Sequence, residues 1–345
     1  MAPTDARLAV IRDWLSKDLS LPHQRLEPAS SDASFRRYFR VFSARGTYIV
    51  MDAPPGKEDV RPYLHVSALL AAIGVHVPQV HERDLERGLI LLEDLGSTLY
   101  LSELTGADGP ERLYADALQV LADIQVRGLA AAVELPLYDR AALARELALM
   151  PEWFCQRHLG IELAPEEDAV LADAFEFLIA SALAQRQVFV HRDYHSRNLM
   201  VTPLRNPGVI DFQDALAGPI GYDLVSLLKD CYIGWSRARV VAWVSSYRTM
   251  LIDRGLAVAD ERQFLRDFDL IGVQRHLKVL GIFARLWHRD GKPGYLLDLP
   301  RTLDYVRDAA ARYHELAGLG AFLERRVVAE LPRANARATT VAARA

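Results

Sequence analysis

The spacing of apolar residues changes along the chain, and the change divides it into two regions. Near the N-terminus, TDARLAVIRDWLSKDL has apolar residues at helical spacing, which predicts a helix packed against the rest of the fold. Short β-prone runs follow over residues 23–53 (HQRLEPA, SFRRYFRVF and TYIVMDA), and VHVPQVHE and GLILLEDL predict two more strands. A strand-rich N-terminal domain with a leading helix is therefore predicted over residues 1–95.

After Leu95 the spacing becomes mainly helical. The segment VFVHRDYHSRNLMVTPLRNPGVIDFQDALAGP interrupts the helices with three short apolar runs separated by polar loops. We predict a larger helical domain over residues 96–330 and a frayed, Ala/Arg-rich tail over residues 331–345. Because the length exceeds what one hydrophobic core usually serves, the chain is expected to be an α+β protein of two lobes.

Composition and charge argue against several classes of protein. The 345 residues carry a formal net charge of −4, so no global basic field indicates nucleic-acid binding. Cys155 and Cys231 lie far apart and lack metal-ligand spacing, which is typical of reduced thiols in a cytoplasmic protein. No uninterrupted apolar run reaches membrane-spanning length. We expect a cytoplasmic protein that binds neither nucleic acid nor membranes, and no obligate protein partner is indicated.

The residues that suggest chemistry lie in the interrupting segment. The string HRDYHSRN places Asn198 five residues after Asp193, and Asp211 opens the string DFQ. Each string alone is weak, but together they match the pattern that phosphoryl transfer uses. That reaction depends on positioning and charge neutralisation, so we expect Asp193 to be the catalytic base. Asn198 and Asp211 are expected to supply oxygen ligands to Mg²⁺.

Structural roles are the alternative for the same residues. Asp193 and Asp211 would then only end strands, and Asn198 would make an Asx turn. His191 follows three apolar residues, a position typical of an internal hydrogen-bonding group, so we predict structural support for it. His195 is open between contact with the substrate and an internal bond to the backbone, and we assign it to the substrate.

Longer strings resemble a known family. HRDYHSRNLMV and VIDFQDALAGPIGYDLVSLL resemble the aminoglycoside phosphotransferase family of kinase-like enzymes. Within it, SSDASFRRYFRV, LLEDLG, QRHLKVLGIFARL and RDGKPGYLLDLPR are similar to bacterial kinases that phosphorylate the anomeric hydroxyl of N-acetylmuramate and N-acetylglucosamine in peptidoglycan recycling. The resemblance covers nearly the whole chain. It implies a protein-kinase-like two-lobe fold, ATP and Mg²⁺ as cofactors, and an amino-sugar substrate that becomes a sugar 1-phosphate.

The resemblance also implies roles for further residues. Asp223 matches a buried aspartate that braces the catalytic loop. Glu93 and Leu95 fall where the family's interlobe hinge pairs its backbone with adenine, so residues 1–95 would be the nucleotide-binding lobe. An ordinary strand end is the alternative for the hinge.

The chain departs from the family pattern where a lysine should orient ATP. Met51 stands at the end of the third predicted strand, and Tyr63 or His65 stands near the place of the helical glutamate that should pair with the lysine. We expect a relocated cation. The candidates are Arg36, Arg37 and Arg40. Ser31 and Ser34 stand where other kinases carry glycines, and we expect them at the phosphates. A solvated arginine strand is the alternative.

Local charge bears on the identity of the acceptor. Residues 271–312 contain eight Lys/Arg against four Asp/Glu, which favours a neutral or anionic acceptor over a polycationic aminoglycoside. The residues expected to bind the carboxylate of N-acetylmuramate are Arg275, His276, Lys278 and Arg285. A salt-bridged helix face is the alternative for them. One or two aromatic residues are expected to stack on the sugar, from the set Tyr232, Trp235, Trp243, Tyr247 and Trp287.

Two other functions fit the same sequence. One is a kinase for another small alcohol, such as an aminoglycoside, choline or homoserine. The other is a pseudokinase that holds nucleotide without turnover, which the missing lysine suggests. Because Asp193, Asn198 and Asp211 are all present, an active enzyme is favoured.

Overall fold

The computed structural model describes residues 5–31, 35–105 and 109–342. The chain forms two compact units. The first contains Met1–Glu103 and Asn198–Asp214, and the second contains Leu104–Arg197 and Ala215–Ala345. Sequence spacing predicted one division near residue 95 and did not anticipate that a later segment joins the first unit.

The elements alternate between the two units in chain order. In the described ranges the strands are β1 (His23–Ser31), β2 (Arg37–Ser43), β3 (Gly46–Asp52), β4 (Val80–Asp84), β5 (Leu89–Glu93), β6 (Gln187–Val190), β7 (Leu199–Met200), β8 (Gly208–Val209) and β9 (Leu216–Pro219). The α-helices are α1 (Ala6–Asp13), α2 (Arg61–Ala72), α3 (Tyr100–Glu103), α4 (Glu111–Arg127), α5 (Arg140–Leu147), α6 (Pro165–Ala184), α7 (Gly221–Leu228), α8 (Arg237–Asp253), α9 (Glu261–Asp290), α10 (Leu299–Ala310), α11 (Ala317–Phe322) and α12 (Glu330–Ala342). Shorter 3₁₀ or π-helical segments are Trp14–Asp18, Ala131–Glu134, Met150–Leu159, Pro293–Asp298, His314–Leu316 and Leu323–Val327.

A five-stranded antiparallel sheet, in the order β1-β2-β3-β5-β4, dominates the first unit. The hairpin between β2 and β3 turns at Gly46, whose φ of 122° is a conformation that glycine adopts at little cost. Apolar side chains of α1 and the turn after it, among them Ile11 and Leu15, pack on Val41 and Val50 of the sheet. The leading helix therefore covers one face of the predicted meander.

Helix α9 is the longest element of the described chain, and it packs against α6, α7, α10 and the segment Met150–Leu159. A Cβ atom at Gly281 would lie 2.4 Å from the carbonyl carbon of Leu149, so only glycine permits this close approach. Because α9 is buried along most of its middle, the charged side chains it carries there must find internal partners.

The end of the chain differs from its prediction. We expected fraying from residue 331, but residues 330–342 form α12, in which Leu331, Ala334 and Ala338 are buried. These apolar residues recur at helical spacing and give the helix a face to bury. No helix in the described part of the chain is both long and apolar enough to cross a membrane.

Candidate active site

The loop that follows β6 carries Asp193. The last three residues of β6 are buried, so the first polar side chains appear where the strand ends. Arg192 has a φ of 81°, and a left-handed conformation costs a non-glycine residue roughly 1–3 kcal/mol. The backbone N–H groups of His191 and Arg192 donate to the carboxylate of Asp223 at 2.7 and 2.9 Å. These two bonds hold the strained turn in place.

Asp223 and His191 are both fully buried in the second unit. Burial raises the pKa of Asp223 to about 7, although the hydrogen bonds from the two N–H groups favour the ionised form and lower the pKa. His191 accepts a hydrogen bond at its Nδ1 from the backbone N–H of Asp193, at 3.2 Å. Both contacts go to the loop backbone, which is the position predicted for residues that support this loop.

Asp193 lies among positive charges. Desolvation raises the pKa of its carboxyl group, but Lys278 first, and then His195, Arg275 and Arg192, outweigh it and hold the pKa below its ordinary value. The carboxylate is therefore ionised at neutral pH. An ionised carboxylate can accept a proton from a hydroxyl group.

Three charged side chains near Asp193 form a buried group, which we call the Glu146 cluster: Glu146, Arg192 and Lys278. Glu146 accepts a hydrogen bond from Arg192 and forms an ion pair with the Nζ of Lys278 at 3.1 Å. Its other oxygen accepts from the hydroxyl of Tyr138 and from Gln274. Because four donors surround Glu146, its buried negative charge is well satisfied.

The second half of the same loop joins an aromatic group. The ring of His195 lies edge-on to Tyr232, with centroids 5.5 Å apart, and the guanidinium of Arg197 lies 3.6 Å from the centre of the Tyr232 ring. Burial lowers the pKa of His195, so its imidazole is neutral near pH 7. Asp230 accepts from the backbone N–H of Ser196, which ties this half of the loop to the end of α7. Of the predicted sugar-stacking aromatics, Tyr232 therefore contacts the loop that carries Asp193.

The predicted metal ligands lie together in the first unit. Asn198 precedes β7 and Asp211 follows β8, and pairing of these strands brings the Asn198 amide nitrogen within 3.3 Å of Asp211 Oδ2. Gln213 donates to the other oxygen of Asp211 at 2.9 Å. No group of three or more His, Cys, Asp or Glu residues is arranged to hold a metal in the described ranges. One carboxylate with one amide fits Mg²⁺, which takes few protein ligands and completes its shell with water and phosphate.

The three candidate arginines have different surroundings. Arg37 binds the carboxylates of Asp52 and Asp5, which anchors it to the sheet and α1. Arg40 binds Asp94 at 2.8 Å and donates to the carbonyl oxygen of Gly96. Arg36 lies 3.7 Å from Asp211, beside the predicted metal ligand. Among the ion pairs of the described residues, that of Arg36 therefore reaches the predicted catalytic set, whereas those of Arg37 and Arg40 do not.

The place of the expected lysine is apolar. Met51 on β3 is fully buried and pairs across the sheet with Tyr38 on β2. On α2, the ring of Tyr63 packs against Phe212 with centroids 4.8 Å apart. In this chain, a buried methionine thus stands where the family has its lysine, and a tyrosine packed against Phe212 stands near the place of the family's glutamate.

The predicted hinge follows β5. Glu93 is the last residue of that strand, and its side chain accepts from the backbone N–H of Gln79 at 3.2 Å. Leu95 lies close to Gly208, where any Cβ atom would be 2.7 Å from a Leu95 methyl carbon. Ser34 and the side chain of Ser31 lie outside the described part of the structure.

The residues predicted to bind the acceptor carboxylate are engaged to different degrees. His276 is fully buried and its Nε2 lies 2.9 Å from the carbonyl oxygen of Lys229, and Arg275 donates to Ser226 at 2.8 Å. With Lys278 ion-paired to Glu146, these three have internal partners, as the alternative of a salt-bridged helix face would have it for Lys278, and their binding of the acceptor stays a prediction. The physical reason is that the middle of α9 is buried.

Arg285 differs from the other three predicted acceptor residues. It lies two turns further along α9, and its side chain is half-buried. Its buried Nε has no hydrogen-bond partner among the described residues. Desolvation lowers its pKa. Arg285 is thus the predicted acceptor residue that retains hydrogen-bonding capacity for an anion.

Sequence reasoning missed Glu146, Asp230 and Gln213. Glu146 lies on α5, and the other buried residues of this helix are leucines. An acidic residue on a buried helix face indicates that a cation from another part of the chain lies against it. Gln213 takes the third position of the DF motif, so its place beside Asp211 could have been expected from the motif. Asp230 gives no comparable signal.

Comparison with known proteins agrees with this picture. Residues 25–265 match the sequence profile of the phosphotransferase enzyme family. The chain belongs to this family. It is 46% identical over 350 residues to a Pseudomonas putida protein named N-acetylmuramate/N-acetylglucosamine kinase, covering 98% of this chain and 100% of the relative. A Pseudomonas aeruginosa protein of the same name is 48% identical over 330 residues, covering 92% and 96%. The predicted family resemblance is confirmed.

A solved structure supports the fold. The choline kinase from Streptococcus pneumoniae superposes with a TM-score of 0.63, covering 90% of this chain and 100% of the other, at 15% sequence identity. Identity at that level shows the fold alone. The predicted α+β, protein-kinase-like fold is therefore confirmed, with a β-rich N-terminal unit and a mainly helical remainder.

Proposed function

We propose that this protein transfers the γ-phosphoryl group of ATP to the anomeric hydroxyl of N-acetylmuramate, N-acetylglucosamine or both, producing the sugar 1-phosphate in peptidoglycan recycling. The observation that carries the proposal is the identity of 46% and 48% to relatives named for these two sugars, over more than nine-tenths of each chain. An ionised carboxylate on the loop after β6 supports the reaction class.

In the proposed reaction, Asp193 accepts the proton of the anomeric hydroxyl as that oxygen bonds to the γ-phosphorus and the bond to the bridging oxygen of ADP breaks. Asp193 suits this role because the surrounding cations keep it ionised. The anomeric hydroxyl is more acidic than an ordinary alcohol, since the ring oxygen withdraws electron density. A carboxylate of low pKa is therefore an adequate base for it.

Asn198 and Asp211 would hold Mg²⁺. Bound there, the ion would neutralise negative charge on the β- and γ-phosphates of ATP. Gln213, which donates to Asp211, would keep that carboxylate in one orientation. The proximity of the two ligand side chains supports this assignment.

For the nucleotide phosphates we propose Arg36 as the cation that takes the place of the missing lysine. Arg37 and Arg40 are tied to Asp52 and Asp94, whereas Arg36 lies beside the predicted metal ligand Asp211. The serine loop that contains Ser31 and Ser34 remains the proposed backbone cradle for the phosphates. Glu93 and Leu95 remain the proposed adenine-binding hinge, through their main-chain groups.

For the acceptor, we propose that His195 and Tyr232 form one wall and that Arg285 meets the carboxylate of N-acetylmuramate. The edge-on contact between His195 and Tyr232 places an aromatic ring beside the loop of the base. The unpaired Nε of Arg285 supports its role, because a buried donor without a partner gains most from an anionic ligand.

Phosphorus NMR after incubation with ATP and Mg²⁺ tests this function. The acceptors are N-acetylmuramate, N-acetylglucosamine, kanamycin and choline, each offered alone. We expect a sugar-phosphate signal only with the two acetylated sugars. The signal should be coupled to the anomeric proton, because the new bond is at that carbon.

The matched control is the 1-O-methyl glycoside of each sugar, which lacks the anomeric hydroxyl and keeps every other group. We expect it to remain unphosphorylated. Phosphorylation of the methyl glycosides would show that another hydroxyl is the acceptor. Phosphorylation of choline or kanamycin instead would favour the alternative alcohol kinases, and nucleotide binding without any product would favour a pseudokinase.

A further inference from the structure

Lys278 is a buried cation in the middle of α9 whose hydrogen bonds go to groups of the protein itself. Its side chain is 9% exposed, and its Nζ forms an ion pair with Glu146 at 3.1 Å and donates a hydrogen bond to the hydroxyl of Tyr222 at 3.0 Å. Burial lowers the pKa of Lys278, but the neighbouring Tyr222 and Glu146 outweigh it, so the ammonium group stays charged. Two fixed acceptors leave this side chain poorly placed to search for an external anion.

The Glu146 cluster does not balance its own charge. One carboxylate, Glu146, faces the two cations Arg192 and Lys278, which leaves one positive charge in a largely buried region. An uncompensated buried charge is costly, so a further anion is required nearby. Asp193 follows Arg192 directly in the chain, and Lys278 is the cation that acts on it most strongly. With Asp193 included, the four charges sum to zero.

We propose that Lys278 is a positioning residue of the reaction: it is the internal counter-charge of Asp193, and through Glu146 it also fixes Arg192 and the loop that carries the base. This role replaces the acceptor-binding role predicted from the sequence. It rests on the proposed function only in the assignment of Asp193 as the base.

Other charged groups also face Asp193 and define what Lys278 adds. His195 and Arg192 belong to the same loop, Arg275 faces it from α9, and Asp223 faces it from α7. His195 is neutral near pH 7, Arg192 is bonded to Glu146, and Arg275 donates to a serine hydroxyl. Removing the charge of Lys278 should therefore raise the pKa of Asp193, since one of its main stabilising cations is lost.

The test is the substitution Lys278→Gln, which removes the charge and retains a donor for Glu146. The matched control is Arg262→Gln, which removes a cation from an exposed position of the same helix. We measure kcat/KM against pH with N-acetylglucosamine and ATP. For Lys278→Gln we expect the acid limb to move up by about 1–3 pH units, the range typical for one nearby opposite charge. The control should superpose on the unsubstituted protein.

An acid limb that does not move would overturn the proposal. A raised KM for N-acetylmuramate, with the acid limb unchanged, would return Lys278 to the acceptor site. A second variant, Lys278→Met, guards against an effect particular to glutamine, because both must shift the limb in the same direction.

A readout without any acceptor separates this proposal from the proposed function. The free energy of unfolding is measured against pH for the chain and for its Asp193→Asn form. Because the folded-state pKa of Asp193 is lowered, its carboxylate contributes stability above its unfolded pKa, and this is lost as the pH falls through the folded pKa. In the Lys278→Gln background the folded-state pKa of Asp193 lies closer to the unfolded one, so that loss should be smaller and should be complete at a higher pH. If it does not, the proposal fails even when the sugars are phosphorylated; if it does, the proposal stands even when they are not.

Discussion

In the second unit Glu146 and Lys278, near Asp193, form a short and buried ion pair, whereas in the first unit the ion pair between Asp211 and Arg36 is longer and its carboxylate is more exposed. The side chains of Glu146 and Lys278 are each 9% exposed and lie 3.1 Å apart. Asp211 is 29% exposed, and its ion pair with Arg36 spans 3.7 Å. The shorter, buried pair is thus more firmly fixed than the longer, more exposed one.

The difference fits the two tasks of phosphoryl transfer. A base must already be ionised and oriented when the acceptor arrives, so its counter-charges belong to the protein. Side chains that bind a metal and phosphates receive their counter-charges from those ligands. Their ion pairs within the protein must therefore be weak enough to be replaced when the ligands bind. Variants in the second unit should therefore change turnover and its pH dependence, and variants in the first should change the dependence on nucleotide and metal.

The largest expected effect follows from Asp193→Asn, which keeps the shape of the side chain and removes its ability to accept a proton. We expect kcat to fall by about 10²–10⁴-fold, the usual contribution of a general base. ADP affinity, measured by calorimetry, should stay within about twofold. Asparagine has nearly the shape of aspartate, and Asp193 is proposed to contact the acceptor and not the nucleotide. The exposed Asp308→Asn serves as the control.

Loss of ADP binding in Asp193→Asn would break the comparison, since it would make Asp193 part of the nucleotide site. Unchanged turnover would remove Asp193 from the role of base. Either result would require a different carboxylate for proton transfer.

The proximity of Asn198 to Asp211 was predictable from sequence because the spacing of the motif carries the information. The strings HRDYHSRN and DFQ each follow or precede a short strand, and strand pairing brings Asn198 to Asp211. The sheet was predictable for a similar reason, since the β-prone runs match β1 to β5 within a few residues. Local patterns therefore fixed both the elements and the residues at their ends.

The partners of charged residues were not predictable in the same way. Lys278 looked like a ligand because sequence gives its charge and not its burial, and its partner Glu146 lies more than a hundred residues earlier. The three arginines near β2 could not be ranked either, because strand alternation does not say which carboxylate each will meet. The tertiary contacts that decide these cases connect distant parts of the chain.

A smaller effect is expected from Arg36→Gln, which removes the cation beside Asp211. A charge-assisted hydrogen bond to phosphate contributes about 1.5–3 kcal/mol, so ADP affinity should fall by about 10–100-fold. Adenosine affinity should not change, because adenosine has no phosphate. Calorimetric titration of both ligands without Mg²⁺ measures the two effects separately.

The control for that experiment is Arg45→Gln, which removes an equal charge from an exposed residue of the turn between β2 and β3. It should leave both affinities unchanged. If Arg36→Gln weakens adenosine as much as ADP, Arg36 supports the fold of the unit and not the phosphates. If ADP binding is unaffected, the relocated cation must be sought elsewhere.

The smallest expected effect comes from Gln213→Leu. Gln213 donates to Asp211 at 2.9 Å, and groups that orient a metal ligand commonly change metal affinity by about 10–100-fold when removed. Because Asp211 is partly exposed and also lies near Arg36, we expect the lower end, about tenfold in the Mg²⁺ concentration that gives half-maximal activity. The acid limb of kcat/KM should stay in place, since the surroundings of Asp193 are unchanged. A shift of that limb would show that the adjustable charges of the first unit also act on the base, and the contrast between the two regions would be lost.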